Sequence, residues 1–262
     1  MKTGNRARRV AATGIFAALL CGGLVSGALA ATLQVDSTAD TADTAGTATV
    51  CGVVPGACTL RAALQQAAEN ADAGNTITFA AAVDGGATTA SINGNYPAIT
   101  KPLTITGPAG RFTVDGDGAS SLLRITGAAG SYSISNLIIT NARGNAVGSE
   151  ANGGGGIFFN PSGASTLTLT NVDLTGNRAV SSGGAPGGGQ YVGAAHTVTV
   201  TGGLISANHT AGDTSPAGSN GGGIFNAGTL TLNGTTVSNN TAAQGGGIFS
   251  SGTLTLAKDG TT

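Results

Sequence analysis

The side chains able to do chemistry are few and scattered: Asp115 and Asp117 in VDGDG, Asp173, the histidines His196 and His209, and the pair Cys51 and Cys58. A polysaccharide lyase needs carboxylates converging on calcium beside an Arg or Lys base, and an inverting hydrolase needs two carboxylates about 6.5 to 9.5 Å apart. Asp115 and Asp117 stand two apart, the spacing of one strand face, but Asp alternating with Gly at a strand end reads as a turn or a weak surface calcium contact. His196 follows two alanines and His209 comes 13 residues later, with no Asp or Ser constellation beside either, so both read as solvated surface residues. No catalytic, cofactor-binding or metal-ligating residue is assigned, and no cofactor is called for.

What would have to position such residues is a repeat. GGGIFNAGTLTL from Gly221 returns as GGGIFSSGTLTL from Gly245, and a looser copy, GGGIFFNPSGASTLTL, runs from Gly154 to Leu169. Between the copies, VDLTGNRA, GGLISANHTA and TTVSNNTA align on Asn177, Asn208 and Asn240, which are 31 and 32 residues apart. A period of that order marks a solenoid or array, in which each unit buries its apolar face only against its neighbours.

Each unit holds three short strand candidates, exemplified by Ile224 and Phe225, Thr229 to Leu232, and Thr235 to Ser238, with turn residues between them and no room for a crossover helix. The pattern predicts an all-β, right-handed single-stranded parallel β-helix, a pectin-lyase-like solenoid. Stacking at the ordinary interstrand spacing of about 4.8 Å sets Ile224 over Ile248 and Leu230 over Leu254 in a dry bore. Asn177, Asn208 and Asn240 are then a turn ladder, bonding along the column and tolerating left-handed backbone. When the repeats are aligned, Asp173 meets Gly203 and Thr236, so no carboxylate stacks on it. The intervals of 34 residues between Gly153, Gly187 and Gly221 exceed the last one of 24 through added Gly, Ser, Ala and Pro, which places longer loops from Ser181 and from His209. Because the GGG runs precede strands and not helices, they are not phosphate loops.

Three segments follow. Residues 1–30 read as a signal peptide: Lys2, Arg6, Arg8 and Arg9 precede an apolar run from Val10 to Leu24, with cleavage between Ala30 and Ala31 by a general secretory route. Its removal takes four of the 11 basic residues and none of the 12 acidic ones. The acidic remainder, the absence of Trp and the lack of a basic stripe exclude a nucleic-acid footprint. No later apolar run is long enough to span a bilayer.

Residues 31–98 read as a cap and first coil, with a strand at Thr32 to Val35 and an amphipathic helix from Thr59 to Asn70. Its face of Leu60, Ala63, Leu64 and Ala67 points inward, while Arg61, Gln65, Gln66 and Glu69 point outward. Export and the lack of a nearby His favour a Cys51–Cys58 disulfide over a metal site. Residues 99–262 read as coils, with early strands at Leu103 to Thr106, Phe112 to Asp115, Leu122 to Thr126 and Ser133 to Thr140. The last coil stops at LTLAKDGTT, which leaves Leu254 and Leu256 as uncovered edges and points to a longer protein or an external cover.

CTLRAAL at Cys58 to Leu64, followed by NTITF at Asn75, resembles the CSLREAL-type amino-terminal domain of exported bacterial β-helix proteins, departing at Ala62 where that family usually carries Glu. The GGGIF units resemble the repeats of polymorphic outer-membrane proteins and autotransporter passengers. Together these resemblances imply a non-catalytic, exported surface or adhesion module that binds glycans or host or matrix proteins, with outer-membrane attachment through a further part. A carbohydrate-active β-helix, either a pectate-lyase-like eliminase or a polysaccharide hydrolase, is the alternative.

Overall fold

The computed structural model describes residues 31–42, 51, 58–70, 74–90, 95–119, 121–145, 153–180, 184–211 and 219–258. The proposed leader and Ala30 lie outside these residues, and Ala31 is the first of them.

Strands three to five residues long, each paired in parallel with its counterpart in one or both adjoining coils, build a parallel β-helix of stacked sheets with eight, five, six and three strands. One coil runs through Ile157–Phe159, Thr166–Thr170, Asp173–Thr175 and Arg178–Val180 before the next begins at Gln190–Val192. The coil therefore has a fourth side that the sequence pattern does not announce. Arg143–Asn145, Arg178–Val180 and His209–Ala211 pair as a three-stranded sheet immediately after the corner, too short for any alternation to register. His209, expected in a loop, is thus the first residue of a strand.

The eight-stranded sheet shows how sequence sets sides. Its inward file runs Leu33, Ile77, Ile105, Ile134, Leu169, Val200 and Leu232, each no more than 4 % exposed, and a second file carries Leu167, Val198 and Leu230. The expected stacking holds: Ile224 lies opposite Ile248 and Leu230 opposite Leu254. In the last described coil the bore opens, and Leu254 and Leu256 are 36 % and 69 % exposed. Outward, the central file is Thr32, Thr76, Thr104, Ser133, Thr168, Thr199, Thr231 and Thr255, every neighbouring pair in register. Ser131, Thr166, Thr197, Thr229 and Thr253 flank it on one side, and Thr106, Ser135, Thr170, Thr201 and Asn233 on the other.

The single strand expected from Ser133 to Thr140 is two, Ser131–Ser135 and Leu137–Thr140, broken at Asn136 with φ 54°. A left-handed residue there turns the chain from one sheet to the next, and Asn adopts that conformation more readily than most side chains. Asn171 does the same one coil later, its Nδ2 donating to Asn136 Oδ1 at 2.9 Å.

At the amino-terminal end the helix Leu60–Glu69 begins at Thr59, whose Oγ1 accepts from Ala62 N at 3.1 Å, and ends at Asn70. Its apolar face joins the core of Leu33, Val35 and Ile77. Arg61 and Gln66 do not face outward as their spacing suggests; they are 8 % and 2 % exposed. Arg61 turns in because three partners satisfy it: a two-point ion pair to Asp40 at 2.8 and 2.9 Å, the Asn95 carbonyl at 2.9 Å, and the Tyr96 ring 4.5 Å below the guanidinium. Burial beside the Asp40 carboxylate pushes the Tyr96 phenol far above its ordinary range.

Cys51 and Cys58 form a disulfide across seven residues. On the loop-entropy account so short a closure stabilises by about 2 to 3 kcal/mol. A Cys51→Ser/Cys58→Ser variant is expected to lose that amount from the cap while the coils keep their protection, as read by hydrogen exchange. Loss of protection spread evenly over the coils would contradict a bridge that acts locally.

Candidate functional site

Asn177, Asn208 and Asn240 stack at one corner of the coil. Asn177 and Asn208 are fully buried, and Asn240 is partly so. Asn208 Oδ1 accepts from Asn177 N and Asn177 Nδ2 at 2.9 and 3.0 Å, and Asn240 Oδ1 repeats both bonds to Asn208. Each Nδ2 also reaches a carbonyl of the preceding coil, at Ile139, Leu174 and Ile205. Every amide group is consumed by the scaffold, which makes the ladder structural. The left-handed residue is not the ladder Asn but the one before it: Gly176, Ala207 and Asn239, with φ of 65°, 55° and 53°. Across the coil, a Cβ on Gly156, Gly189 or Gly223 would sit 3.1, 3.0 or 2.9 Å from the Nδ2 of Asn177, Asn208 or Asn240. The third glycine of each GGG is therefore the space that the buried amide occupies, and the two repeated phrases are halves of one contact.

Immediately after the corner, the chain turns Arg143, Arg178 and His209 outward in a single file, since Arg143 pairs with Arg178 and Arg178 with His209 in the three-stranded sheet. Parallel strands lie about 4.8 Å apart, so three basic groups recur at that interval. They line a groove of about 350 Å³ that also takes in Asp117, Asn141 and Gly176. Arg143 Nε is buried with no hydrogen-bond partner among the described residues. Burial first, and the nearby Arg178 second, hold the His209 imidazole below its ordinary pKa.

The other candidates from the sequence are not brought together. Asp115 ends its strand and Asp117, at φ 51°, lies beyond it, so the two do not share a strand face; Asp117 N donates to Asp115 Oδ1 at 2.9 Å and Asn141 Nδ2 to Asp115 Oδ2 at 3.3 Å. That is a side-chain turn, one of the two readings the spacing allowed. Asp173 pairs with Arg111 at 2.7 Å and accepts from Leu204 N at 2.8 Å, clamping neighbouring coils. His196 is not a solvated residue: it is 3 % exposed, its Nε2 is 3.2 Å from Asn160 Oδ1, and its ring meets Phe159 edge-on at 5.1 Å. Burial lowers its pKa and favours the neutral ring. Among the described residues no group of three His, Cys, Asp or Glu could hold a metal ion, and no helix is long and apolar enough to cross a membrane.

No protein-family model, curated protein or solved structure matches this chain.

Two features escaped the residue-by-residue reading. Arg178 and His209 directly follow aligned ladder asparagines, in NRA and NHT, so the file was present in the alignment; Arg143 joins it only through pairing. Likewise the residue after the aliphatic or Gln position of the five-stranded sheet is Phe158, Tyr191, Phe225 and Phe249, a column stacked at 4.9, 5.3 and 5.5 Å with Arg124 at 4.4 Å below it. Because the rings cover one another's faces, this column is packing and not an open platform.

Proposed function

We propose that the protein is a non-catalytic, exported surface module that recognises anionic glycans, those bearing uronate or sulfate groups. The observation that carries this is the groove with Arg143, Arg178 and His209 in register: guanidinium groups pair with carboxylate and sulfate-like oxyanions through parallel N–H donors, and a file of them suits a chain whose charges also repeat. Beside them the groove carries Asn141, Gly176 and the Asp117 carboxylate, which can accept hydrogen bonds from sugar hydroxyls. The signal-like residues 1–30 and the likeness of CTLRAAL and GGGIF to exported β-helix domains and outer-membrane passengers support delivery to the cell surface.

The test is binding of the exported chain to a panel of uronate-containing, sulfated and neutral glycans. Each arginine contributes charge-assisted bonds of about 1.5 to 3 kcal/mol, so Arg143→Ala and Arg178→Ala are each expected to weaken binding about tenfold or more, with raised salt weakening the wild type in the same direction. His209 is neutral near pH 7 because its pKa is lowered; acidification through that lowered pKa adds a third positive charge, so affinity rises as pH falls and His209→Ala abolishes the rise. Equal binding of neutral and anionic glycans would remove the basis of the proposal, and release of unsaturated or reducing-end sugars from the panel would replace it with a lyase or hydrolase.

A further inference from the structure

A second surface is set apart by what it lacks. Across the outward positions of the eight-stranded sheet there is no charged residue and no aromatic one, and the central file is hydroxyl-bearing in all eight strands. Strand propensity alone does not produce this. The six-stranded sheet, built from the same coils, turns Asp115, Ile138, Asp173 and Leu204 outward and satisfies the same backbone. Leaving a broad face free of charge also gives up the usual protection against association of sheets, so the uniformity asks for a reason.

Geometry supplies one. Along each strand, outward hydroxyls recur every two residues, about 6.6 Å; across strands they recur about every 4.8 Å, over about 34 Å for the whole file. Thr is β-branched and stiff at χ1, so its hydroxyl and methyl are held in place and do not sweep a cone. The register is kept without a slip from the first strand to the last, which makes the face a two-dimensional lattice. A partner that meets such a lattice at every point must itself repeat in two directions, be uncharged, and exchange donors for acceptors freely, as a hydroxyl does. Ice has all three properties, with oxygen repeats of this order on its growing faces. Crystalline polysaccharide also repeats, but it is gripped by exposed aromatic rings, and this protein keeps its aromatic column on another sheet with the ring faces covered.

We propose that the threonine face of the long sheet binds ice, by incorporating an ordered layer of water whose spacing continues into the crystal. This is independent of the glycan groove, which lies on a different sheet. The experiment grows ice slowly in a dilute solution of the full exported chain beside a globular control of equal size, and measures protein in the ice and liquid fractions. The wild type is expected in the ice, and recrystallisation of fine ice grains should slow in its presence. Thr168→Lys/Thr199→Lys, which sets two charges in the middle of the lattice, should lose both effects while keeping the wild-type melting midpoint. Thr140→Lys/Thr175→Lys, on the outward side of the six-stranded sheet, should keep them. Exclusion of the wild type from ice to the same extent as the control overturns the proposal, as does equal retention of the Thr168→Lys/Thr199→Lys variant. Adsorption to crystalline cellulose or chitin without adsorption to ice overturns it in favour of a polysaccharide surface.

Discussion

Leu230→Asp is expected to collapse the coils around it. Leu230 is fully buried in the bore, stacked in register between Val198 and Leu254, and the positions above and below it are apolar. A carboxylate there has no partner, so it must be protonated or desolvated, and either way the cost is several kcal/mol, at the extreme end of single substitutions. Because a solenoid is stabilised coil by coil through neighbouring interfaces, the loss should not unfold the whole chain in one step. Hydrogen exchange should show protection lost first from Thr229–Asn233 and the strands on either side, with the cap persisting. Thr231→Asp, one residue on and pointing outward, should change stability by no more than about 0.5 kcal/mol. A Leu230→Asp protein that melts with the wild type would show that the file does not face the bore.

The second large effect is expected at the ladder. Asn208→Ala removes two acceptor contacts to Asn177 and two donor contacts, to the Leu174 carbonyl and Asn240 Oδ1. Groups buried without partners cost about 1 to 3 kcal/mol each, so a loss of about 3 to 5 kcal/mol is expected by urea denaturation. Asn208→Asp tests the direction of the bonds. Its carboxylate still accepts from Asn177, but its second oxygen faces the Leu174 carbonyl and Asn240 Oδ1, both acceptors. Folding should therefore raise that carboxyl's pKa above its unfolded value. A raised folded pKa gives stability that is full below the unfolded pKa and lost as pH rises through the folded one, so this variant should be firmer in acid and weak at neutral pH. A variant with pH-independent stability would mean that the side chain at 208 does not face the Leu174 carbonyl and Asn240 Oδ1.

The scaffold was legible because its rules repeat. Ile224 and Leu230 returned in phase with Ile248 and Leu254, and the strand period and the repeat period agreed. The fourth side was not legible, since three residues such as Arg178–Val180 hold too little alternation to distinguish strand from loop. Arg61 departs from its helical spacing for a different reason. Helical spacing puts it on the outer face, but the partner that draws it inward, Asp40, lies 21 residues away in a stretch without pattern. His196 likewise depends on Asn160, 36 residues earlier and one coil down. The ladder was visible as aligned Asn, yet its burial was not; it required the close approach of Gly156, Gly189 and Gly223, a contact between phrases that the sequence separates by about half a coil. The basic groove needed pairing register, which joins Arg143 to a file that alignment alone begins at Arg178.

The tyrosines, one of them inside the aromatic column, give the molecule a built-in optical marker. The chain has no Trp and three Tyr, so its near-ultraviolet absorption and circular dichroism come mainly from Tyr96, Tyr132 and Tyr191. These report from different places: Tyr96 lies against Arg61 in the cap, Tyr132 against Phe159 in the early coils, and Tyr191 between the rings of Phe158 and Phe225. Burial raises the phenol pKa of each, so alkaline spectra separate folded from solvent-exposed tyrosine without any label. Replacing two of the three with Phe leaves a chromophore in one chosen stretch of the solenoid, and the order in which those stretches melt becomes directly observable.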